Sequence, residues 1–445
     1  MGVIDASSIK PGERVRVKTR RGLVVEGIVM PRYELYGGDC ITIKLDNGYN
    51  VGVEVKSIVE LEVLKPAREG RGGYGEIVLK PAEPKPWVKS RVYILGTGGT
   101  IASKIDYETG GVKPTLTARD VLEAVPEIAD VCRLETEVLF NVFSEDLTQQ
   151  HWSLIAEKVA SLLKKDPERG VIVAHGTDTM AYTASALSFA IRNPPAPIAL
   201  VGAQRSSDRP SSDSAMNIVS AAIYATSDVG EVAIVMHGET GDTYALAHRG
   251  TRVRKMHTSR RDAFQSIDSL PIAKIYSEEK KLVILRSDVR RATRNPESME
   301  ARSRFSDKVA LVKFYPGMKP DVIDYFVDNG YRGIVLEGTG LGHVANRLID
   351  SIRRGVRSGV VFTMTSQCIF GCINMNVYST GRKLLEAGVI PSGDMLSETA
   401  FVKLSWLLGN YDDVETIVRL YRENLAGEYE VRRRIDLYPR WKHEP

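Results

Sequence analysis

From Arg91 onward, short apolar runs alternate with amphipathic stretches of helical period, and this alternation limits the fold more than any other feature. The runs at 91–96 (RVYILG), 170–176 (GVIVAHG), 197–203 (PIALVGA), 231–238 (EVAIVMHG) and 281–286 (KLVILR) have strand length. Residues 117–131 and 151–165 lie between some of them and have one apolar face each. Strands alternating with helices predict a mostly parallel sheet covered by helices on its faces. A second, shorter unit of the same kind begins near Lys308, with runs at 308–315, 333–340 and 359–366. Residues 292–306 are polar and aperiodic, and they predict the boundary between the two units.

The N-terminal part reads differently. Arg14, Arg16, Lys18 and Arg20 alternate with Val15, Val17 and Thr19, and the runs 23–30, 40–45 and 51–55 follow, separated by turn residues that include Asn47-Gly48. Period-two patterning with an Asn-Gly turn predicts short antiparallel strands closing into a small barrel. Its basic face, with Arg21 adjacent, is either an RNA-phosphate surface or a solvated face. Residues 65–90 concentrate glycine and proline and read as a linker with one short strand inside. The expected order is therefore a small β-barrel over 1–64, a linker over 65–90, an α/β domain over 91–295 and a second α/β domain over 306–445.

Bulk composition excludes several classes. A net charge of +4 does not by itself argue for nucleic acid. No run reaches the ~18 to 20 apolar residues a membrane helix needs, and the N-terminus lacks the pattern of a signal peptide. Four cysteines, with Cys368 and Cys372 four apart, do not match a zinc or redox pair. A cytoplasmic location is the expectation.

Three places carry candidate chemistry. Leu95-Gly96-Thr97-Gly98-Gly99-Thr100 follows a predicted strand, so a threonine hydroxyl stands among glycines at a sheet edge. That carboxyl edge is where open α/β sheets bind ligands. The dinucleotide pattern G-x-G-x-x-G/A fails at Ile101, and no Walker A loop occurs in the chain. His175-Gly176-Thr177-Asp178-Thr179-Met180 also follows a predicted strand and sets a hydroxyl beside a carboxylate. Taken alone, each motif also fits a plain strand–turn–helix connection with a capping Thr or Asp. Lys255 lies in a run with Arg254, Arg260 and Arg261, so spacing alone leaves it either a catalytic base or a solvated loop cation.

With these motifs in view, Arg91 to Leu408 resembles the bacterial-type L-asparaginase family. The resemblance rests on TGGTIA at 97–102, HGTDTM at 175–180, and Lys255 nine residues before Phe264. It implies that Thr97 attacks an amide carbon and that Thr177, Asp178 and Lys255 form a hydrogen-bonded set. Asp178 would grip the substrate amino group, and Lys255, neutral through burial, would be the base. Gly98, in the glycine-rich loop, would help bind the substrate, with the N–H groups of that loop or of the Thr177 turn facing the oxyanion. Ser144 and Glu145 align with the family's substrate-gripping loop, and Tyr107 with its lid tyrosine.

The added N-terminal barrel and the runs 202–213 and 255–262 are further similar to the D subunits of archaeal glutamyl-tRNA(Gln) amidotransferases. That resemblance implies ammonia release from glutamine or asparagine for a separate E subunit that amidates tRNA-linked glutamate. It implies a D homodimer carrying two E subunits, ATP and Mg at the partner, no cofactor or metal in this chain, and contact with Glu-tRNA(Gln) mainly through the partner. Low activity of the chain on its own is expected. The alternatives are a stand-alone asparaginase or glutaminase with an accessory barrel, and a catalytically dead binding scaffold. His343 reads as a loop or interface histidine.

Overall fold

The computed structural model describes residues 9–30, 40–45, 50–65, 90–98, 103–105, 112–114, 121–122, 125–205, 212–430 and 435–439. The predicted linker strand, the Asn47-Gly48 turn and Tyr107 lie outside them.

The N-terminal strands form one antiparallel sheet in the order Asn50–Glu54, Cys40–Lys44, Val24–Val29, Arg14–Thr19, Ile58–Lys65. Val15, Val17, Val25, Val29, Ile41, Ile43, Val53 and Ile58 gather into a single core, so the sheet curls around its own inner face. Each strand is joined to its neighbours in this order around that one core, the arrangement expected of a small β-barrel. Register decides the fate of the basic face. Arg16 stands level with Glu26 and Glu62 on its two neighbours, and Lys18 with Glu60. Arg14 and Arg16 each reach Glu26 at 3.0 Å, and Arg16 also reaches Glu62 at 3.2 Å. Cross-strand ion pairs thus offset the charge of Arg14, Arg16 and Lys18, which favours the solvated-face reading.

The central sheet has eight strands, in the order Lys281–Ile284, Ala273–Tyr276, Ala245–Arg249, Val232–His237, Ile198–Val201, Gly170–Ala174, Arg91–Gly96, Arg133–Val138. The last five in this order run parallel. The predicted 281–286 strand instead belongs to an antiparallel meander at the sheet's margin. Its burial alternates accordingly, whereas all of Gly170–Ala174 is buried. Parallel strands buried on both faces read as continuous apolar runs, which is why their positions are clear from sequence. Helix Ser214–Ala225 covers one face, and helices Gln149–Lys165 and Met180–Ala190 cover the other. Residues 126–130, predicted as part of an amphipathic helix, form a 3-10 turn opening on Pro126.

The second unit is a four-stranded parallel sheet, Val309–Lys313, Gly333–Gly338, Val361–Ser366 and Ile390–Pro391, in chain order. Helices Asp321–Asp328 and Ile349–Arg357 cover one side. Helix Ser397–Asn410 fills the other and packs on Met180–Ala190 of the first unit, where Phe189 stacks on Trp406 at 6.0 Å. The 292–306 segment is not featureless. Glu300–Ala301 pairs with Ile191–Arg192, and Trp406 Nε1 donates to the Arg302 carbonyl at 2.8 Å. Among the described residues no helix is long and apolar enough to cross a membrane.

Candidate active site

In the parallel ladders, Gly96 stands level with Ala174, and Ala174 with Val201. The loops beginning at Thr97, His175 and Gly202 therefore leave the sheet side by side at its carboxyl edge, where ligands bind in open α/β folds. The fourth contributor comes from further along the chain. Strands Val253–Lys255 and Phe264–Ser266 form a small hairpin with Lys255 opposite Phe264. Phe264 is buried in the central core and anchors that hairpin.

The hairpin brings Lys255 to the second motif. Lys255 Nζ lies 2.9 Å from Thr177 Oγ1 and 2.8 Å from Asp178 Oδ1. The Lys255 side chain is 13% exposed and that of Asp178 69%. Burial by apolar neighbours is therefore only part of the lysine's environment, because a solvent-facing carboxylate is its ion-pair partner. Protonated lysine donates to both oxygens. After losing a proton, it can hold Asp178 with one N–H and accept from the Thr177 hydroxyl through its lone pair, with the heavy atoms unmoved.

Thr97 opens the neighbouring loop. Its backbone N–H and its Oγ1 both donate to the Ala174 carbonyl, at 3.1 and 2.9 Å, and the residue is 1% exposed. In this conformation the hydroxyl is covered and committed to the main chain. Gly98 follows at φ +114°, and a Cβ there would lie 2.1 Å from the Val142 carbonyl oxygen. Only glycine permits this close approach of the 139–144 segment. Ser144, in that segment, is buried, packs against Gly176, and accepts from Thr179 Oγ1 at 2.6 Å through its carbonyl. Glu145 beside it points to solvent. The structure thus gathers Thr97, Gly98, Ser144, Thr177, Asp178 and Lys255 around one edge and leaves Glu145 on its rim.

The runs 175–180 and 202–213 contain two groups, His175 and Asp213, to which the sequence reading gives no role and which lie beneath the edge. His175 is buried, with Nδ1 2.6 Å from the Gly176 carbonyl and Nε2 2.8 Å from Thr183 Oγ1. Burial pushes its pKa down to about 4, against a smaller opposing effect of the Gly176 carbonyl, so it is a neutral ring bracing the turn before Thr177. Asp213, fully buried, accepts the backbone N–H groups of Gln204 and Arg205 at 3.0 and 2.9 Å and pins the third loop. Its place just before an apolar helix was the available sequence signal. His343 stacks edge-on against Tyr378 at 5.3 Å, in a loop of the second unit. A cavity of about 610 Å³ lies elsewhere, lined by Arg249, Arg286, Asp288 and Glu430, and none of the site residues lines it. Those four side chains already pair with one another or with Glu231.

Residues 91–290 match the family described as "Asparaginase, N-terminal", and 308–421 the "Glutaminase/Asparaginase C-terminal domain". Residues 9–64 match the "GatD N-terminal domain". The D subunit of the glutamyl-tRNA(Gln) amidotransferase of Pyrococcus abyssi is 53% identical over 97% of this chain and 98% of its own. Its counterpart in Pyrococcus furiosus is 54% identical over 96% of each. The thermostable L-asparaginase of Thermococcus kodakarensis superposes with a TM-score of 0.67 at 32% identity, covering 76% of this chain and 99% of its own.

Proposed function

Because the chain belongs to the family of glutamyl-tRNA(Gln) amidotransferase D subunits, built on the asparaginase fold, we propose that it releases ammonia from glutamine or asparagine for a partner subunit that amidates Glu-tRNA(Gln). The observation that carries this reading is Lys255 Nζ set between Thr177 Oγ1 and Asp178 Oδ1, at the edge where Thr97 begins the adjacent loop. A threonine hydroxyl needs a base to become a nucleophile at neutral pH, and a lysine in contact with a second hydroxyl supplies a route for the proton.

The proposed steps are these. The Thr97 side chain rotates off the Ala174 carbonyl, and its Oγ1 attacks the side-chain amide carbon. Its proton passes toward Thr177 and Lys255. The C–N bond then breaks and the nitrogen leaves as ammonia, carrying a proton back from that pair. Water adds to the Thr97 ester, and the acid leaves with the hydroxyl restored. The Gly98 N–H, in a turn whose geometry only glycine allows, would face the oxyanion. Asp178, largely open to solvent on its outer side, would hold the substrate ammonium. Assembly as two D and two E subunits, with ATP and Mg at the partner and a cytoplasmic location, belongs to the same proposal.

The test is ammonia release from glutamine and asparagine by the wild-type chain and Thr97→Ala, with and without the partner subunit and charged tRNA. The expected outcome is activity that needs Thr97 and rises when partner and tRNA are present. Equal activity in wild type and Thr97→Ala would overturn the nucleophile assignment. Full activity of the isolated chain, indifferent to the partner, would favour a stand-alone asparaginase or glutaminase.

A further inference from the structure

The end of the Val232–His237 strand carries a buried histidine that the steps above do not use. Its surroundings can be assigned one hydrogen at a time. Asn217 Nδ2 faces two acceptors, the Gly202 carbonyl at 3.1 Å and Asp213 Oδ2 at 2.9 Å. Those contacts fix the amide orientation, so Asn217 Oδ1 is the atom that meets His237 Nδ1 at 2.6 Å, and Nδ1 carries a proton. On the other side of the ring, Nε2 lies 3.1 Å from Asp242 Oδ1, which accepts from it when the ring carries its second proton. The same carboxylate oxygen accepts from Arg261 Nη1 at 2.8 Å. The ring itself is fully buried. Both nitrogens of one imidazole are thus engaged with residues from two separate segments.

Each end of this chain of contacts supports half of the Lys255–Thr177 pair. At one end Asn217 holds Gly202, which is wedged under the second motif. A Cβ on Gly202 would lie 2.7 Å from the His175 carbonyl oxygen and 2.9 Å from Thr177 Cγ2. At the other end Asp242 holds Arg261, in the turn of the hairpin that carries Lys255. That turn is closed by Met256 N–H donating to the Ala263 carbonyl at 2.6 Å. We propose that His237 is a positioning residue that sets the distance between Lys255 and Thr177 by tying the Gly202 loop to the 256–263 turn. The inference rests on the reading of Lys255 and Thr177 as the proton-handling pair.

Two variants test it in the full chain assembled with its partner. His237→Leu removes both ring contacts. Asp242→Ala cuts the outer link from an exposed loop and leaves the core intact, so it stays informative if the first variant folds poorly. Both variants should speed amide exchange in the 256–263 turn. They should lower kcat by ~10- to 100-fold, the scale expected when a supporting contact lets a reacting group move by about an ångström, with KM little changed. Asp242→Glu, which keeps an acceptor, should recover most of the loss. Wild-type exchange in the 256–263 turn of Asp242→Ala, or a raised KM with kcat intact, would overturn the proposal. If wild type and Thr97→Ala release ammonia alike, the assignment of Thr97 as nucleophile falls and with it the proton route through Thr177 and Lys255, and the exchange measurement still decides whether His237 couples the two segments.

Discussion

Replacing Lys255 with methionine should separate catalysis from stability, and the structure gives the size of each effect. The lysine makes two polar contacts, to Thr177 Oγ1 at 2.9 Å and Asp178 Oδ1 at 2.8 Å. Asp178 is 69% exposed, so water screens the ion pair, and pairs of this kind contribute ~0–1 kcal/mol. The hydrogen bond to Thr177 adds about 1 kcal/mol. Lys255→Met should therefore cost no more than ~2 kcal/mol, a fall in Tm of roughly 4–8 °C for a domain of this size. Loss of a positioned base costs ~100- to 10,000-fold in rate, or about 3–5 kcal/mol of barrier. The assay is ammonia release by the assembled enzyme, run beside thermal unfolding of the same sample. Thr177→Val should lose a similar factor, and the double variant little more, because residues that act as a unit are not additive. A Lys255→Met enzyme with kcat within ~10-fold of wild type would refute the assignment of the lysine as base. So would a rate loss matched by an equal loss of folding free energy.

Other outcomes follow from the same geometry. Gly98→Ala forces a side chain into a left-handed turn and against the Val142 carbonyl oxygen. The strain alone is ~1–3 kcal/mol, so thermal unfolding should show a lower Tm, and ammonia release should fall as the 139–144 segment is pushed away. Lys403 and Glu428 form a fully buried ion pair at 2.5 Å, and Glu428 also accepts from the Leu425 and Ala426 N–H groups. Lys403→Met strands that carboxylate at a cost of ~3–5 kcal/mol, while Lys403→Met with Glu428→Gln should recover much of it in denaturant titrations. His175 is held neutral in the fold, with its pKa lowered from 6.5 to about 4 by burial. The unfolded chain therefore binds the proton first, so this contribution to stability is complete above the unfolded value and is lost as pH falls from 6.5 toward 4. His175→Gln should flatten that stretch of the stability-versus-pH curve.

How far the sequence could be read depended on whether a residue's partner lay at a regular spacing. Thr97, Thr177 and Asp178 follow apolar runs directly, and the run-then-glycine pattern places them at a sheet edge without knowledge of the rest. Lys255 offers no such signal, since it stands in a basic run and reaches Thr177 across 78 residues only because Phe264 seats its hairpin in the core. The same rule explains the basic stripe of the N-terminal sheet. Its period was visible, but Glu26, Glu60 and Glu62 offset its charge through strand register, which composition does not contain. His237 and Asn217 are the extreme case. One ends an apolar strand and the other lies within a buried helix, where a polar residue gives no hint of direction. Their value comes from contacts across 20 residues of chain and from the two acceptors that fix the Asn217 amide. Local chemistry can be read from residue order, but the support that holds it in register is a property of the assembled edge. Substitutions at His237 or Asp242 should therefore change the rate while leaving both recognisable motifs intact.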